Sequence, residues 1–252
     1  MQKLKIFQSL WAMELRSPDR PERTPEENFR MIAEAGYDGA CIDPSVAEIP
    51  ESLKLKPLYE EFGLDCMMNA FPFETGDMQP LYSLASDLGA SLVNIIGGVM
   101  PIRPEDAVPV VRQRMDEAKR AGCPMLFETH RDSLLNDLYY TLQLIDLVPE
   151  MRLCADLSHF VVDREMRDPI TATDQAYIDR ILERSDCFQG RIANREQVQI
   201  QIDFPQHQQW VGIFRHWWKQ GMRAWRARNG ADATLIFLCE LGPPPYAITD
   251  GD

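Results

Sequence analysis

Eight short apolar runs recur along the chain, and a stretch with helical spacing separates each from the next. The runs cover 4–13, 37–44, 64–72, 91–98, 124–130, 151–160, 187–193 and 233–240. The stretches between them, 24–35, 51–62, 77–88, 103–122, 134–147, 170–184 and 210–228, carry helix start and stop signals. Thr24 can cap a helix opened by Pro25, Glu26 and Glu27, and Gly36, Gly63, Gly89 and Gly122 follow helix ends. Strict alternation of this kind requires parallel strands joined by crossover helices. Eight such units in 252 residues predict an α/β chain folded as a (β/α)8 TIM barrel. No low-complexity linker divides the sequence, so one domain is expected over 1–252. The alternative, an open doubly wound sheet, usually carries a glycine-rich phosphate loop after its first strand. This chain reads Trp11-Ala12-Met13-Glu14-Leu15-Arg16 there.

Composition removes several classes of function. The net charge of −13 argues against a broad face for nucleic-acid phosphates. Six scattered cysteines with no CxxC pair read as buried free thiols, which fits a reducing cytoplasmic setting. Lys3 and Lys5 precede an apolar stretch that is broken by Gln8 and ends at Glu14, too short for a signal peptide. No run approaches the roughly 18 apolar residues of a membrane span.

In a barrel every strand presents its C-terminal end at one mouth, and catalytic groups come from several of these ends. Here the ends carry Glu14, Asp43, Asn69, Asn94, Glu128, His130, Asp156, His159, Gln189, Arg191 and Glu240. Glu128, Asp156 and Glu240 terminate very apolar segments. Carboxylates in that position are costly to desolvate unless paired or bound to a cation. Three of them at one mouth repel one another, and a divalent metal would resolve the conflict. Plainer readings exist. Glu128 and Glu240 could pair with Arg131 and Arg191, Asp156 could cap the turn after its strand, and His159 could be a core histidine. The stripe of Trp210, Phe214, Trp217, Trp218 and Trp225 reads as helix-to-barrel packing, with room for an interface between copies in a homo-oligomer. The run of Arg215, Lys219, Arg223, Arg226 and Arg228 reads as a solvated face.

Glu128, the Asp156-Leu-Ser-His159 motif, and Glu240-Leu-Gly-Pro-Pro-Pro-Tyr246 together resemble the xylose isomerase-like TIM barrel superfamily, in particular its sugar phosphate isomerase/epimerase-like members. That superfamily includes ketose 3-epimerases, inosose dehydratases, hydroxypyruvate isomerases and endonuclease-IV-type repair enzymes. The resemblance implies a divalent metal, commonly Mn²⁺, Mg²⁺ or Co²⁺, held by residues of strands five to eight. Carried over, the ligands are Glu128, Asp156, Gln189 and Glu240. Gln189 stands where relatives have histidine: Phe188-Gln189-Gly190-Arg191-Ile192 lines up with their His-Ala-Arg-Val segment, and Glu196 and Gln199 fall on later motif positions. An amide oxygen in place of imidazole favours Mg²⁺ or Mn²⁺ and weakens affinity.

The implied activity is that of a metal-dependent isomerase or epimerase, or a related lyase or dehydratase. It would act on a sugar, keto-sugar or polyol by removing a proton next to a carbonyl through an enediolate. Glu128 and Glu240 would be the two acid/base groups. His159, Arg191, His130, Trp11, Glu14 and Asn94 would contact a small carbohydrate-like substrate, with no nucleic-acid or membrane partner. Two other functions remain open: a barrel subunit of a C-glycoside-cleaving complex, and a non-catalytic sugar-binding barrel. A repair-endonuclease role is disfavoured by the acidic charge and by only four histidines.

Overall fold

Eight parallel strands close on one another in sequence order, with β8 returning to pair with β1. They are β1 Lys3–Ser9, β2 Gly39–Ile42, β3 Asp65–Ala70, β4 Leu92–Ile95, β5 Met125–Glu128, β6 Leu153–Ala155, β7 Ser185–Gln189 and β8 Thr234–Cys239. The helices are α1 Pro25–Glu34, α2 Ile49–Leu53, α3 Lys56–Phe62, α4 Met78–Leu88, α5 Pro104–Ala121, α6 Leu138–Leu147, α7 Leu157–Asp163, α8 Ala172–Arg184 and α9 Gln208–Arg228. This is a computed structural model, and it describes residues 1–16, 19–74, 76, 78–243 and 246. The expected (β/α)8 barrel is therefore the observed fold.

Strand side chains alternate with period two, and here that rule builds the site. Phe7, Cys41, Met67, Leu92, Leu126, Cys154, Cys187, Ile236 and Leu238 form a buried apolar cluster drawn from all eight strands. Two residues further along each strand direction lie Ser9, Asp43, Asn69, Asn94, Glu128, Asp156, Gln189 and Glu240. An apolar layer thus closes the barrel interior, and a polar layer lies on top of it at the C-terminal mouth.

Helix termini follow the expected chemistry. Thr24 and Glu27 form a reciprocal capping box at α1. Gly122 takes φ +69° at the end of α5, a left-handed conformation suited to glycine. Apart from shifted ends, such as α6 starting at Leu138 behind its cap Asp137 instead of at 134, three elements differ from expectation. The first strand stops at Ser9 and gives way to a 3₁₀ turn, Trp11–Met13, where Ser9 Oγ accepts from the Ala12 amide at 3.3 Å. The second helical stretch is split into α2 and α3, because Pro57 enters the first turn of α3 and cannot donate to the helix before it. The sixth strand ends at Ala155 instead of running to residue 160. Asp156 caps α7, accepting from the Ser158 amide at 2.9 Å, so His159 stands on a helix. Asp77, the expected start of the third helix, lies outside the described residues. Among the described residues, no helix is long and apolar enough to cross a membrane.

Candidate active site

The polar layer is a connected network. Asn69 Nδ2 donates to Asp43 Oδ1 at 2.8 Å, and Asn94 Nδ2 donates to Asn69 Oδ1 at 2.9 Å. Asn94 Nδ2 also donates to Glu128 Oε2, which takes a second bond from Gln189 Nε2 at 2.6 Å. The bonds run from β2 across β3 and β4 to β5, then over the mouth to β7. Glu128 is 2 % exposed at the centre of this chain. Asn94, expected to touch substrate, holds Glu128 in place.

Arg191 organises the other half. Its Nε donates to Asp156 Oδ2 at 3.1 Å and its Nη2 to Glu240 Oε1 at 2.9 Å. Its Nη1 donates to Gln199 Oε1 at 3.3 Å, and Gln199 is fixed in turn by the Gly242 amide at 2.7 Å. The Trp11 and Tyr246 rings lie 5.5 Å and 5.4 Å from the guanidinium carbon and meet each other edge to face. Arg131 donates to the Tyr246 hydroxyl at 2.7 Å and makes no ion pair with Glu128. A Cβ on Gly242 would run into the Trp11 ring, so only glycine lets the chain pass behind it. The sequence argument required a positive charge among these acids; a buried guanidinium supplies one to Asp156 and Glu240.

Burial sets the protonation states. Glu128 is pushed well above the usual carboxylate range by desolvation, with Glu240 and Asp156 adding to the effect. Burial raises Glu240 to about 8, against the pull of Arg191. Asp43 is raised to about 7, again mainly by burial. Asp156 goes the other way: burial favours its neutral form, but His159, Arg191 and the Ser158 hydroxyl outweigh that and lower it. Desolvation drives His159 well below its ordinary value and also lowers His130. Both imidazoles are therefore neutral near pH 7, and there Arg191 and Ser158 carry the stabilisation of Asp156.

His159 is 2 % exposed, yet neither ring nitrogen has a hydrogen-bond partner. Its ring centroid is 4.1 Å from that of His130. Ligand atoms of Glu128, His130 and His159 lie within 4.8 Å of one another. Two neutral imidazoles and a carboxylate suit a divalent transition metal, and buried nitrogens without partners are what such an ion would satisfy. Of the expected ligands, Gln189 Oε1 and Glu240 Oε2 are also buried without partners. Asp156 is more committed: Oδ1 accepts from the Ser158 amide and hydroxyl, and Oδ2 from Arg191.

Glu14 stands apart. It is exposed, and with Trp11, Asp43 and Glu48 it lines a groove of 830 Å³ beside the mouth. The sequence alone assigns no role to Asn69 or Ser158, and marks Gln199 and Tyr246 only by their place in motifs. Pro244 and Pro245 of the Glu240–Tyr246 motif lie outside the described residues.

No family model and no curated protein matches the sequence. Solved structures do. A xylose isomerase-like TIM barrel protein from Mycobacterium smegmatis, in complex with magnesium, matches with TM-score 0.60 at 16 % identity, over 94 % of this chain and 89 % of that one. The D-allulose 3-epimerase of Methylomonas sp., in complex with D-allulose, matches with TM-score 0.59 at 14 % identity, over 96 % and 87 %. The probable 3-DHS dehydratase involved in petrobactin synthesis from Bacillus anthracis matches with TM-score 0.58 at 10 % identity, over 94 % and 92 %. The chain shares the (β/α)8 barrel fold of these proteins. At these identities the likeness is one of architecture. Within this barrel Glu128, Asp156, Gln189 and Glu240, at or one residue past the ends of strands five to eight, are all buried at one mouth.

Proposed function

We propose that this xylose isomerase-like barrel is a divalent-metal-dependent isomerase or epimerase, or a lyase or dehydratase of the same chemistry. Its substrate would be a sugar, keto-sugar or polyol, deprotonated next to a carbonyl. The observation that carries the reading is a pair of buried carboxyls, Glu128 and Glu240, both held above the normal range beside a permanently charged Arg191. A carboxyl tuned toward neutrality can exist in both protonation states at working pH, as a general acid or base must.

In this scheme Glu240 takes the proton from the substrate carbon, and Glu128 delivers one to the opposite face or the adjacent carbon, having taken that proton up from solvent on the carboxyl oxygen that does not hold the ion. Each turnover leaves the two protonation states exchanged, and solvent resets them. Arg191 keeps its charge throughout and faces the negative oxygen of the enediolate. His159, whose Nε2 lies 3.4 Å from Asp156 Oδ2 but whose ring nitrogens make no hydrogen bond within the chain, donates to a substrate hydroxyl or carbonyl. Trp11 and Tyr246 present an aromatic wall to the apolar face of the sugar ring.

The donors that fit a divalent ion are Glu128, His130 and His159, with Gln189 Oε1 and Glu240 Oε2 as further free oxygens. Asp156 joins them only as Arg191 withdraws. When bound, such an ion would polarise the carbonyl and acidify the neighbouring C–H bond. Mn²⁺, which accepts imidazole as well as oxygen donors, suits this mixed set better than Mg²⁺.

The test is deuterium exchange. The protein is incubated in D₂O with a panel of ketoses, inososes and 3-keto-glycosides, and NMR reads label at the carbon next to the carbonyl. Exchange should appear for at least one class, stop after EDTA dialysis and return with Mn²⁺. No exchange across the panel overturns the proton-transfer reading; exchange that survives EDTA overturns the metal.

A further inference from the structure

Parallel barrels keep their outer faces dry by laying helices over the strands. One face departs from this. The outward residues of β1 and β8, Leu4, Ile6, Leu235 and Phe237, floor a groove of 1320 Å³ on the outside of the barrel. They pair across the strands, Leu4 opposite Leu235 and Ile6 opposite Phe237, so the floor is a continuous apolar strip. Leu4 is 48 % exposed. Among the described residues, α9 is the only helix that lines the groove, forming one wall with Trp218 and Met222. The Trp218 ring stands edge-on to Phe237 at 5.1 Å, and its indole N–H is buried without an acceptor.

The rim has a definite charge. Arg215, Lys219, Arg223 and Arg226 recur at intervals of three and four along α9, so they share one edge of the helix. Lys3 adds a fifth cation from β1. None of the five makes an ion pair among the described residues. Among the described residues no acidic side chain lines the groove, although the chain has 39 acidic and 26 basic residues. A basic edge beside an apolar strip, in a chain that is otherwise strongly acidic, is complementary to an acidic amphipathic helix.

We propose that this groove docks an amphipathic helix of a partner protein, apolar on the face against β1 and β8 and acidic along the edge beside α9. A second copy of this chain is poorly suited. Its exposed large hydrophobics on helices are Met31, Leu53, Tyr139 and Leu147, one on each of α1 and α2 and two at opposite ends of α6, and these form no apolar stripe.

The experiment uses the whole chain and a fluorescein-labelled synthetic helix of about 18 residues, five turns, with leucines at helical spacing and flanking glutamates. A second peptide carries lysine in place of every glutamate. Fluorescence anisotropy should show the acidic peptide binding about tenfold tighter than the basic one. The double substitution K219E/R223E, at two exposed positions of α9, should reverse that preference, and a variant that gains the basic peptide is thereby shown to be folded. Ile6→Glu should weaken both. The proposal is overturned if neither peptide binds, if the charge swap leaves the preference unchanged, or if phosphatidylserine vesicles bind the groove and the peptide does not. It is equally overturned if sedimentation shows a dimer that the swap dissociates.

Discussion

Replacing Arg191 with methionine keeps most of the side-chain volume and removes the charge shared by Asp156 and Glu240. Arg191 is 3 % exposed, Asp156 0 % and Glu240 8 % on their side chains. Taking one partner from a buried charge network costs about 3–5 kcal/mol. For a chain of this size each kcal/mol moves the melting temperature by about 2–4 °C, so a loss of roughly 6–20 °C is expected at neutral pH. The measurement is thermal unfolding by circular dichroism in EDTA, so that no divalent ion substitutes for the guanidinium.

The pH dependence makes the test specific. In the native chain Asp156 is depressed below its unfolded value of about 3.9, so its contribution is present above that pH and fades as pH falls through the lower folded value. Glu240 is raised to about 8, so it erodes stability as pH rises from about 4.3 toward 8. Without Arg191, Asp156 keeps the Ser158 hydrogen bonds and a neutral His159 but loses the one permanent charge beside it, so it moves up, and Glu240 moves higher. Both then stay protonated in the folded chain where the unfolded chain has released its protons. The variant should therefore lie near the native chain at pH 5 and far below it at pH 8. A gap equal at the two pH values, or under about 2 °C at pH 8, would refute the bridging role of Arg191. Adding Mn²⁺ to the variant asks whether Asp156 and Glu240 accept an ion once the guanidinium is gone. Ligand at a hundred times its dissociation constant would return about 2.7 kcal/mol.

Three further outcomes are expected. Glu128→Gln should reduce deuterium exchange by about 10²–10⁴-fold while leaving the melting temperature unchanged or higher, because a carboxyl already neutral is replaced by an amide of the same shape; full exchange in this variant would remove Glu128 from the chemistry. The rate under kcat/KM conditions should climb with pH as Glu240 ionises and level off above about 8, so a profile falling between pH 6 and 8 would contradict its role as base. Gly242→Ala drives a methyl into the Trp11 ring, which should cost about 1–3 kcal/mol and raise KM; unchanged melting and KM would show that the Trp11 wall is not held from behind.

Much of the site was legible because strand periodicity writes it locally. Leu126-Phe127-Glu128, Cys154-Ala155-Asp156, Cys187-Phe188-Gln189 and Leu238-Cys239-Glu240 each read apolar, outward, polar, and period two puts the first and third inside the barrel. Beyond the strand ends less was legible: a pair of Arg191 with Glu240 was among the readings, its bond to Asp156 was not. Arg191 sits two residues past β7, where no period constrains it, and its partners on β6 and β8 become neighbours only when the barrel closes. The Leu157-Ser158-His159-Phe160-Val161-Val162 run is apolar enough for either a buried strand or a buried helix. The choice falls to Asp156, whose carboxylate caps the first turn and so carries His159 around toward His130 and Glu128. The aromatic helix α9 was read correctly as packing against the barrel on one side, while the significance of its basic edge depends on what covers β1 and β8.

The charge of the polar layer explains how the same residues can be stable alone and still accept a cation. Asp156 is ionised and Arg191 is positive, so these two nearly cancel. Glu128 avoids the conflict by holding its proton, and Glu240 near pH 7 is mostly protonated as well. The layer is thus close to neutral without any ion, and the repulsion among three carboxylates exists only when all three are ionised. A divalent ion at Glu128, His130 and His159 would meet two imidazoles that are already neutral and one carboxyl that must give up its proton. Binding there is coupled to release of that proton and strengthens as pH rises. An ion placed between Asp156 and Glu240 would instead have to displace Arg191 from both, leaving a buried guanidinium to find new acceptors. The Glu128 side of the mouth is therefore the easier seat for a metal, and the Arg191 side the fixed electrostatic wall against which a substrate anion would be stabilised.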